Sequence, residues 1–203
     1  MQVFSTAYFG PIAYYAELIQ AQQPFVEAKE HFVKQTIRTR CEILGPNGVQ
    51  TLSVPVRKVN GNKTAVDALE LLDDGWRKMH WKSIETAYSS AAYFDYYGME
   101  IKEILMGNQS TLLELNDAIL QRVLMWLDVE KTVGYTSEYQ VVEDPKNDFR
   151  SVAFDSTSSY IHAPYHQVFR LKENCVFNLS ILDLLLNEGP MAHNWMLQKM
   201  MAQ

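Results

Sequence analysis

Between residues 37 and 43 the chain alternates. Ile37, Thr39, Cys41 and Ile43 fall on one register, and Arg38, Arg40 and Glu42 on the other. A period of two marks a strand with two different faces. Gly45-Pro46-Asn47-Gly48 is a turn sequence, and Leu52, Val54 and Val56 then resume the alternation. The pattern predicts a β-hairpin over Thr36–Val56. Upstream, residues 2–5 predict a short strand and Gly10-Pro11 a loop. Tyr14 or Tyr15, Leu18 and Ile19 follow at helical spacing, behind a proline suited to a first helical turn. Pro24 restarts the chain, and residues 25–28 predict a second short strand.

Further on, the period lengthens to that of helices. Residues 74–97 predict a helix in two pieces, with Asp73 or Asp74 at its start and Trp76, His80, Ser83 or Ile84, and Ala87 on one stripe. Thr111-x-x-Glu114 is a capping box. It opens a helix on Leu112, Leu115, Ile119, Val123 and Trp126. Residues 132–142 are rich in β-formers and predict a return to the sheet. A long polar loop runs from 143 to about 164. Asn178-Leu179-Ser180-x-x-Asp183 starts a helix on Leu182, Leu185 and Leu186. Asn187-Glu188-Gly189-Pro190 interrupts it before a Met-rich helix. The sum is an α/β fold: a small mixed sheet including the Thr36–Val56 hairpin, surrounding helices and a helical C-terminal part, in a single domain over 1–203.

The 203 residues suffice for one proper core. The formal net charge of −6 argues against broad nucleic-acid binding, which needs many cations. No apolar run reaches the ~20 residues of a membrane helix. The opening MQVFSTAYFG has neither the cationic start nor the apolar run of a secretion signal. Cys41 and Cys175 show no CxxC spacing, so neither a metal site nor a disulfide framework is indicated. The expectation is a cytoplasmic protein with reduced thiols. The dinucleotide, Walker, GxSxG and HExxH signatures are missing, and the sequence names no cofactor.

Against that acidic background, residues 34–58 carry five cationic side chains. Arg38 and Arg40, two apart in a strand, share a face. Paired guanidinium forks suit a phosphate or carboxylate between them; the plainer reading is a solvated face paired with acids. His80, beside Trp76, is a candidate acid–base group or a hydrogen-bonded boundary residue. His162 and His166 flank Pro164, which works against the helix that a zinc-binding H-x-x-x-H needs. The tyrosines at 8, 14, 15, 88, 93, 96 and 97 are either rings beside a ligand or core rings. Cys41 faces away from the arginines and makes a poor nucleophile.

Taken in order, YFGPIAYYAELIQA, KQTIRTRCEILGPNGVQTLSVPVRK, WRKMHWKSIETAYSSAAYFDYY, APYHQVF and NLSILDLLLNEGP resemble the WbqC-like family over nearly the whole chain. The resemblance implies recurrent polar positions at Gln35, Arg38, Arg40, His80, Tyr88, Tyr93, Tyr165, Gln167, Asn178, Ser180, Asp183 and Asn187. Ser5-Thr6-Ala7 stands where many relatives have Gln-Pro. Residues 144–159 replace a longer segment, as in the shorter form associated with Bacteroidetes. The family takes its name from a bacterial O-antigen gene cluster, and the resemblance assigns it no biochemical activity.

Three readings follow. In the first, the chain is a group transferase of surface-polysaccharide biosynthesis with a phosphate-bearing donor. His80 would be the base and Tyr88 or Tyr93 a supporting donor. Arg38 and Arg40 would hold the anion, and Gln35, Asn178 and Asp183 would orient hydroxyls. In the second, the same pocket binds an anionic metabolite or partner without chemistry, and the Met-rich stretch from Met191 to Met201 meets a second copy or a partner protein. The third is structural: His80 caps a strand end, and Asn178, Ser180 and Asp183 serve a helix start. The sequence leaves open donor, acceptor, catalysis and oligomeric state.

Overall fold

A computed structural model describes residues 1–57, 63–151, 164–169 and 175–200, the side chains of 197–200 apart. Three parallel strands lie side by side in the order β1 (Gln2–Phe4), β2 (Pro24–Val26) and β7 (Gly134–Tyr135). Val3 opposes Phe25, and Phe25 opposes Gly134. A parallel bridge from Val3 to Asp148 extends this sheet on the far side of β1. Helix α1 (Ile12–Gln20) makes the crossover from β1 to β2, because parallel neighbours cannot be joined by a tight turn. Phe4, Tyr14, Tyr15, Leu18 and Val26 are buried where this unit meets the core. At Gly134 a Cβ would come within 2.4 Å of the Phe25 ring, so glycine lets β7 approach β2.

The antiparallel hairpin pairs β3 (Arg40–Gly45) with β4 (Gly48–Ser53). Gly45 faces Gly48 across the expected turn, and Gly48 takes φ 105°, where glycine is favoured. The hairpin forms a sheet of its own, and a third small sheet pairs β5 (Val56–Arg57) with β6 (Glu70–Leu71). The α/β class holds, with its strands divided among small sheets.

One stretch departs from the expected pattern. The alternation at Ile37 and Thr39 predicts strand, but residues 37–39 form a turn and β3 begins at Arg40. Gln35 adopts φ 61°, and the Thr36 carbonyl accepts from the backbone N–H of both Thr39 and Arg40. Arg38 and Arg40 therefore do not share a strand face. Tertiary contacts decide the outcome: the Arg38 carbonyl accepts from Asn116 Nδ2 at 2.9 Å, while its guanidinium reaches Glu30.

Helices α2 (Trp76–Tyr88) and α3 (Phe94–Leu105) are the expected two pieces. Gly75, in the left-handed region, takes the N-cap position of α2, and Asp74 Oδ1 accepts from Trp76 N. In α4 (Leu112–Trp126) the Thr111–Glu114 capping box is present in both directions, and the five stripe residues are all buried. Helices α5 (Ile181–Glu188) and α6 (Ala192–Met200) complete the helical C-terminal part. Met196 packs into the core, whereas Met191 is exposed; Met201 lies outside the described residues.

Candidate functional site

Side chains that follow the parallel strands gather at the strands' C-terminal ends, where open α/β sheets commonly bind ligands. Glu27 follows β2, Thr136 follows β7, and Arg150 lies just beyond the Asp148 bridge. Glu27 is 0% exposed. Its carboxylate accepts from Thr136 Oγ1, Lys29 N, Gln140 N and, at 3.4 Å, Arg150 Nη1. Arg150 also forks onto Asp148, at 2.8 Å through Nε and 2.6 Å through Nη2, and stacks over the Tyr139 ring. The guanidinium beside Asp148 holds that carboxyl below its usual range.

Arg38 joins this network. Its Nε donates to Glu30 Oε1 at 2.7 Å, and Nη2 donates to Glu30 Oε2 at 2.6 Å and to the Arg150 carbonyl at 3.2 Å. Burial pushes the Glu30 carboxyl upward, against the opposing pull of Arg38.

A cavity of about 1040 Å³ opens against these groups. Lys29, Arg38, Arg40 and Arg150 line it as cations, and Glu30, Glu42 and Asp148 as anions. Most of these charges are already matched: Lys29 pairs with Asp67, Arg38 with Glu30, and Arg150 with Asp148 and Glu27. Arg40 differs, because among the described residues it has no hydrogen-bond or ion-pair partner. Gln35, Asn178 and Ser180 also reach the lining.

Asn178 and Ser180 have local work as well. Asn178 takes φ 53°, and its Oδ1 accepts from Ala13 N at 3.0 Å, while the Leu179 carbonyl accepts from Ile12 N. Two N–H groups at the start of α1 are thus satisfied from the closing segment, as helix ends require. Ser180 caps α5 through Leu182 N and donates to the Phe9 carbonyl at 2.7 Å. Asp183, at the third position of α5, does not close a capping box. Its buried carboxylate instead accepts from Tyr88 at 2.9 Å, from Gln167 at 2.8 Å and from Tyr165. Burial raises the Asp183 carboxyl despite these donors.

His80, Tyr88, Tyr93 and Asp183 are not among the residues lining the cavity. Tyr8 and His80 Nδ1 are 2.8 Å apart, and the ring also bonds the Ser53 backbone at the end of β4. Burial lowers the imidazole to about 4, so it is neutral at physiological pH. A neutral ring that donates to the Ser53 carbonyl accepts the Tyr8 proton at Nδ1. The strand-end role matches the structural reading. Tyr93 lies against Gly189, where a Cβ would come within 2.4 Å of the ring. Cys41 reaches the lining, but burial drives its thiol far above the reactive range.

Sequence reasoning missed Glu27, Glu30 and Arg150. Glu27 meets Thr136, Gln140 and Arg150 more than 100 residues away, and nothing in the spacing of Glu30 to Arg38 or of Asp148 to Arg150 marks those nearer pairs as buried. His162 lies outside the described residues, and among those described no group of three or more His, Cys, Asp or Glu side chains could hold a metal ion.

A family model described as the WbqC-like protein family matches residues 6–155. The chain belongs to the WbqC-like family. Among its relatives is "Uncharacterized protein Rv1507c" of Mycobacterium tuberculosis, 29% identical over 139 residues. That stretch is 67% of this chain and 57% of the relative. No solved structure matches. The matched region of this WbqC-like chain holds Glu27, Glu30, Arg38, Arg40 and Arg150. The segment from Asn178 to Asp183 lies beyond it, joined to it by the cap on α1 and by Tyr88. Among the described residues no helix is long and apolar enough to cross a membrane.

Proposed function

We propose that the cavity binds a phosphate-bearing activated donor, and that the protein is a group transferase of bacterial surface-polysaccharide biosynthesis. The observation that carries this reading is Arg40: a guanidinium with no polar partner among the described residues, on the wall of a cavity of about 1040 Å³. A guanidinium suits a phosphate oxygen pair, and the volume accommodates a ligand of nucleotide-sugar size. Family membership supports the polysaccharide context. Arg38 and Arg150, locked by carboxylates, shape the wall and hold Arg40's surroundings rigid. Chemistry is not placed on His80 or Tyr88, which are buried in hydrogen bonds elsewhere.

A second reading, binding without chemistry, is favoured by the same burial of His80, the expected base, outside a cavity whose lining imidazole is His31 instead. A thermal-shift series with nucleotide sugars, sugar phosphates and coenzyme A esters tests the shared part. A ligand at about 100 times its Kd adds roughly 2.7 kcal/mol of stability, and Arg40→Ala abolishes that gain. No shift with any of these anions overturns both readings. A hit followed by release of free phosphate or nucleotide in the presence of an acceptor sugar separates transferase from binder.

A further inference from the structure

Arg40 and Glu42 are two residues apart in β3 and both line the cavity. In a strand that spacing puts them on one face, with backbones about 6.7 Å apart. They form no ion pair with each other. Their cross-strand partners are Ser53 and Thr51, which bring no charge. Among the described residues Arg40 has no polar partner, and Glu42 Oε2 is buried without a hydrogen bond. A buried carboxylate oxygen left unbonded is costly, while the neighbouring Arg38, Arg150 and Glu30 are each bonded several times over. The two unmatched charges of the wall are thus of opposite sign and adjacent.

Building on the anion-binding reading above, we propose that Arg40 and Glu42 form a two-point clamp for a sugar phosphate. The phosphate sits on the Arg40 guanidinium, and a ring hydroxyl donates to the Glu42 carboxylate, which turns to bring Oε2, closed off from the cavity in this structure, to the ligand. A hydroxyl donor satisfies the carboxylate without adding charge. The separation matches a phosphate and a hydroxyl on opposite sides of a hexose better than the adjacent ammonium and carboxylate of an α-amino acid. Glu42 gives the cavity a selectivity that a phosphate site alone lacks. A bare dianion gains nothing from it and is repelled by it, whereas a phosphorylated polyol is held at both ends.

The test is isothermal titration calorimetry on the full chain with glucose 1-phosphate, galactose 1-phosphate, inorganic phosphate and glycine, against wild type, Arg40→Gln, Glu42→Gln and Glu42→Ala. Circular dichroism melts confirm that each variant is folded. At least one hexose 1-phosphate binds wild type. Arg40→Gln weakens it tenfold or more, the scale of a lost charged hydrogen bond. Glu42→Ala weakens the hexose phosphate about tenfold while leaving inorganic phosphate unchanged or tighter. Glu42→Gln, which keeps a carbonyl acceptor, falls between the two.

If Glu42→Ala leaves the hexose phosphate untouched while Arg40→Gln removes it, the clamp is wrong and the anion cavity survives. If neither hexose phosphate nor inorganic phosphate binds wild type, the anion cavity falls and the clamp with it. Tighter binding of glycine than of either hexose phosphate also overturns the clamp, and points to a zwitterion.

Discussion

Arg38 and Glu30 form a two-pronged ion pair in which the side chains are only 4% and 8% exposed. That pairing accounts for one of the cations gathered near residue 38: the Arg38 charge is neutralised by Glu30, eight residues earlier, while Arg40 stays unmatched among the described residues. Removing one partner leaves the other buried and uncompensated. Arg38→Ala is expected to destabilise the fold by about 3–5 kcal/mol, measured by urea unfolding. The double variant Arg38→Met with Glu30→Leu should recover a large part of that loss. A fully stable Arg38→Ala protein would contradict the structural role of the pair.

His80 makes stability depend on pH. An unfolded imidazole titrates near 6.5 and the folded one at about 4. As pH falls the unfolded chain takes up the proton first, so stability drops. The contribution is fully present above about pH 6.5 and is lost between there and pH 4. Its size is on the order of 3 kcal/mol. Glu30 and Asp183, whose carboxyls are raised on folding, act with the opposite sign. The comparison is therefore between wild type and His80→Gln over that window. The variant should be less stable at neutral pH, and the gap should close on acidification. A gap that stays constant from pH 7 to 4 would count against a neutral buried ring.

Asn178 both caps α1 and occupies left-handed backbone. Asn178→Gly keeps the backbone conformation and loses the cap; Asn178→Ala loses both. Each should lower stability, by about 1 kcal/mol for the cap alone, and alanine should cost more than glycine. Equal effects in thermal melts would mean that the φ of 53° carries no strain.

Asp183→Ala strips the common acceptor from Tyr88, Tyr165 and Gln167. Orphaned buried donors cost about 1–3 kcal/mol each, so a loss of several kcal/mol is expected. Tyr88→Phe, which removes one donor and leaves the carboxylate bonded twice, should cost less. A mild Asp183→Ala effect would mean that water enters and takes over the acceptor role.

Much of the architecture was legible in the chain. The hairpin declared itself through the Gly45–Gly48 turn and strict alternation, and α4 through a capping box and a 3.6-residue stripe. These signals are local, so sequence carries them. Residues 37–39 misled because the backbone there is set by tertiary bonds of Arg38, to Asn116 of α4 and to Glu30, and not by strand pairing. The site was half legible. Gln35, Arg38, Arg40 and Asn178 reach the cavity, while His80, Tyr88, Tyr93 and Asp183 lie outside its lining. The carboxylates that neutralise Arg38 and Arg150 had no spacing signature, because a buried ion pair is specified by three-dimensional proximity alone. Glu42 stood in plain view as a partner for the arginines, yet its unbonded oxygen could be recognised only from packing.

The cap on α1 comes from a residue 165 positions later in the chain. During synthesis at ~5–20 residues per second, helix and cap emerge from the ribosome roughly ten to thirty seconds apart. For that interval Tyr14 and Tyr15 have no finished core to enter, and water alone satisfies the exposed helix start. The first helix therefore stays unlocked until the residue at 178 arrives. A stop codon anywhere between 127 and 177 would release a chain with most of its helices and strands but no way to close. Such truncation products should be degraded or aggregate, not persist as smaller folded proteins.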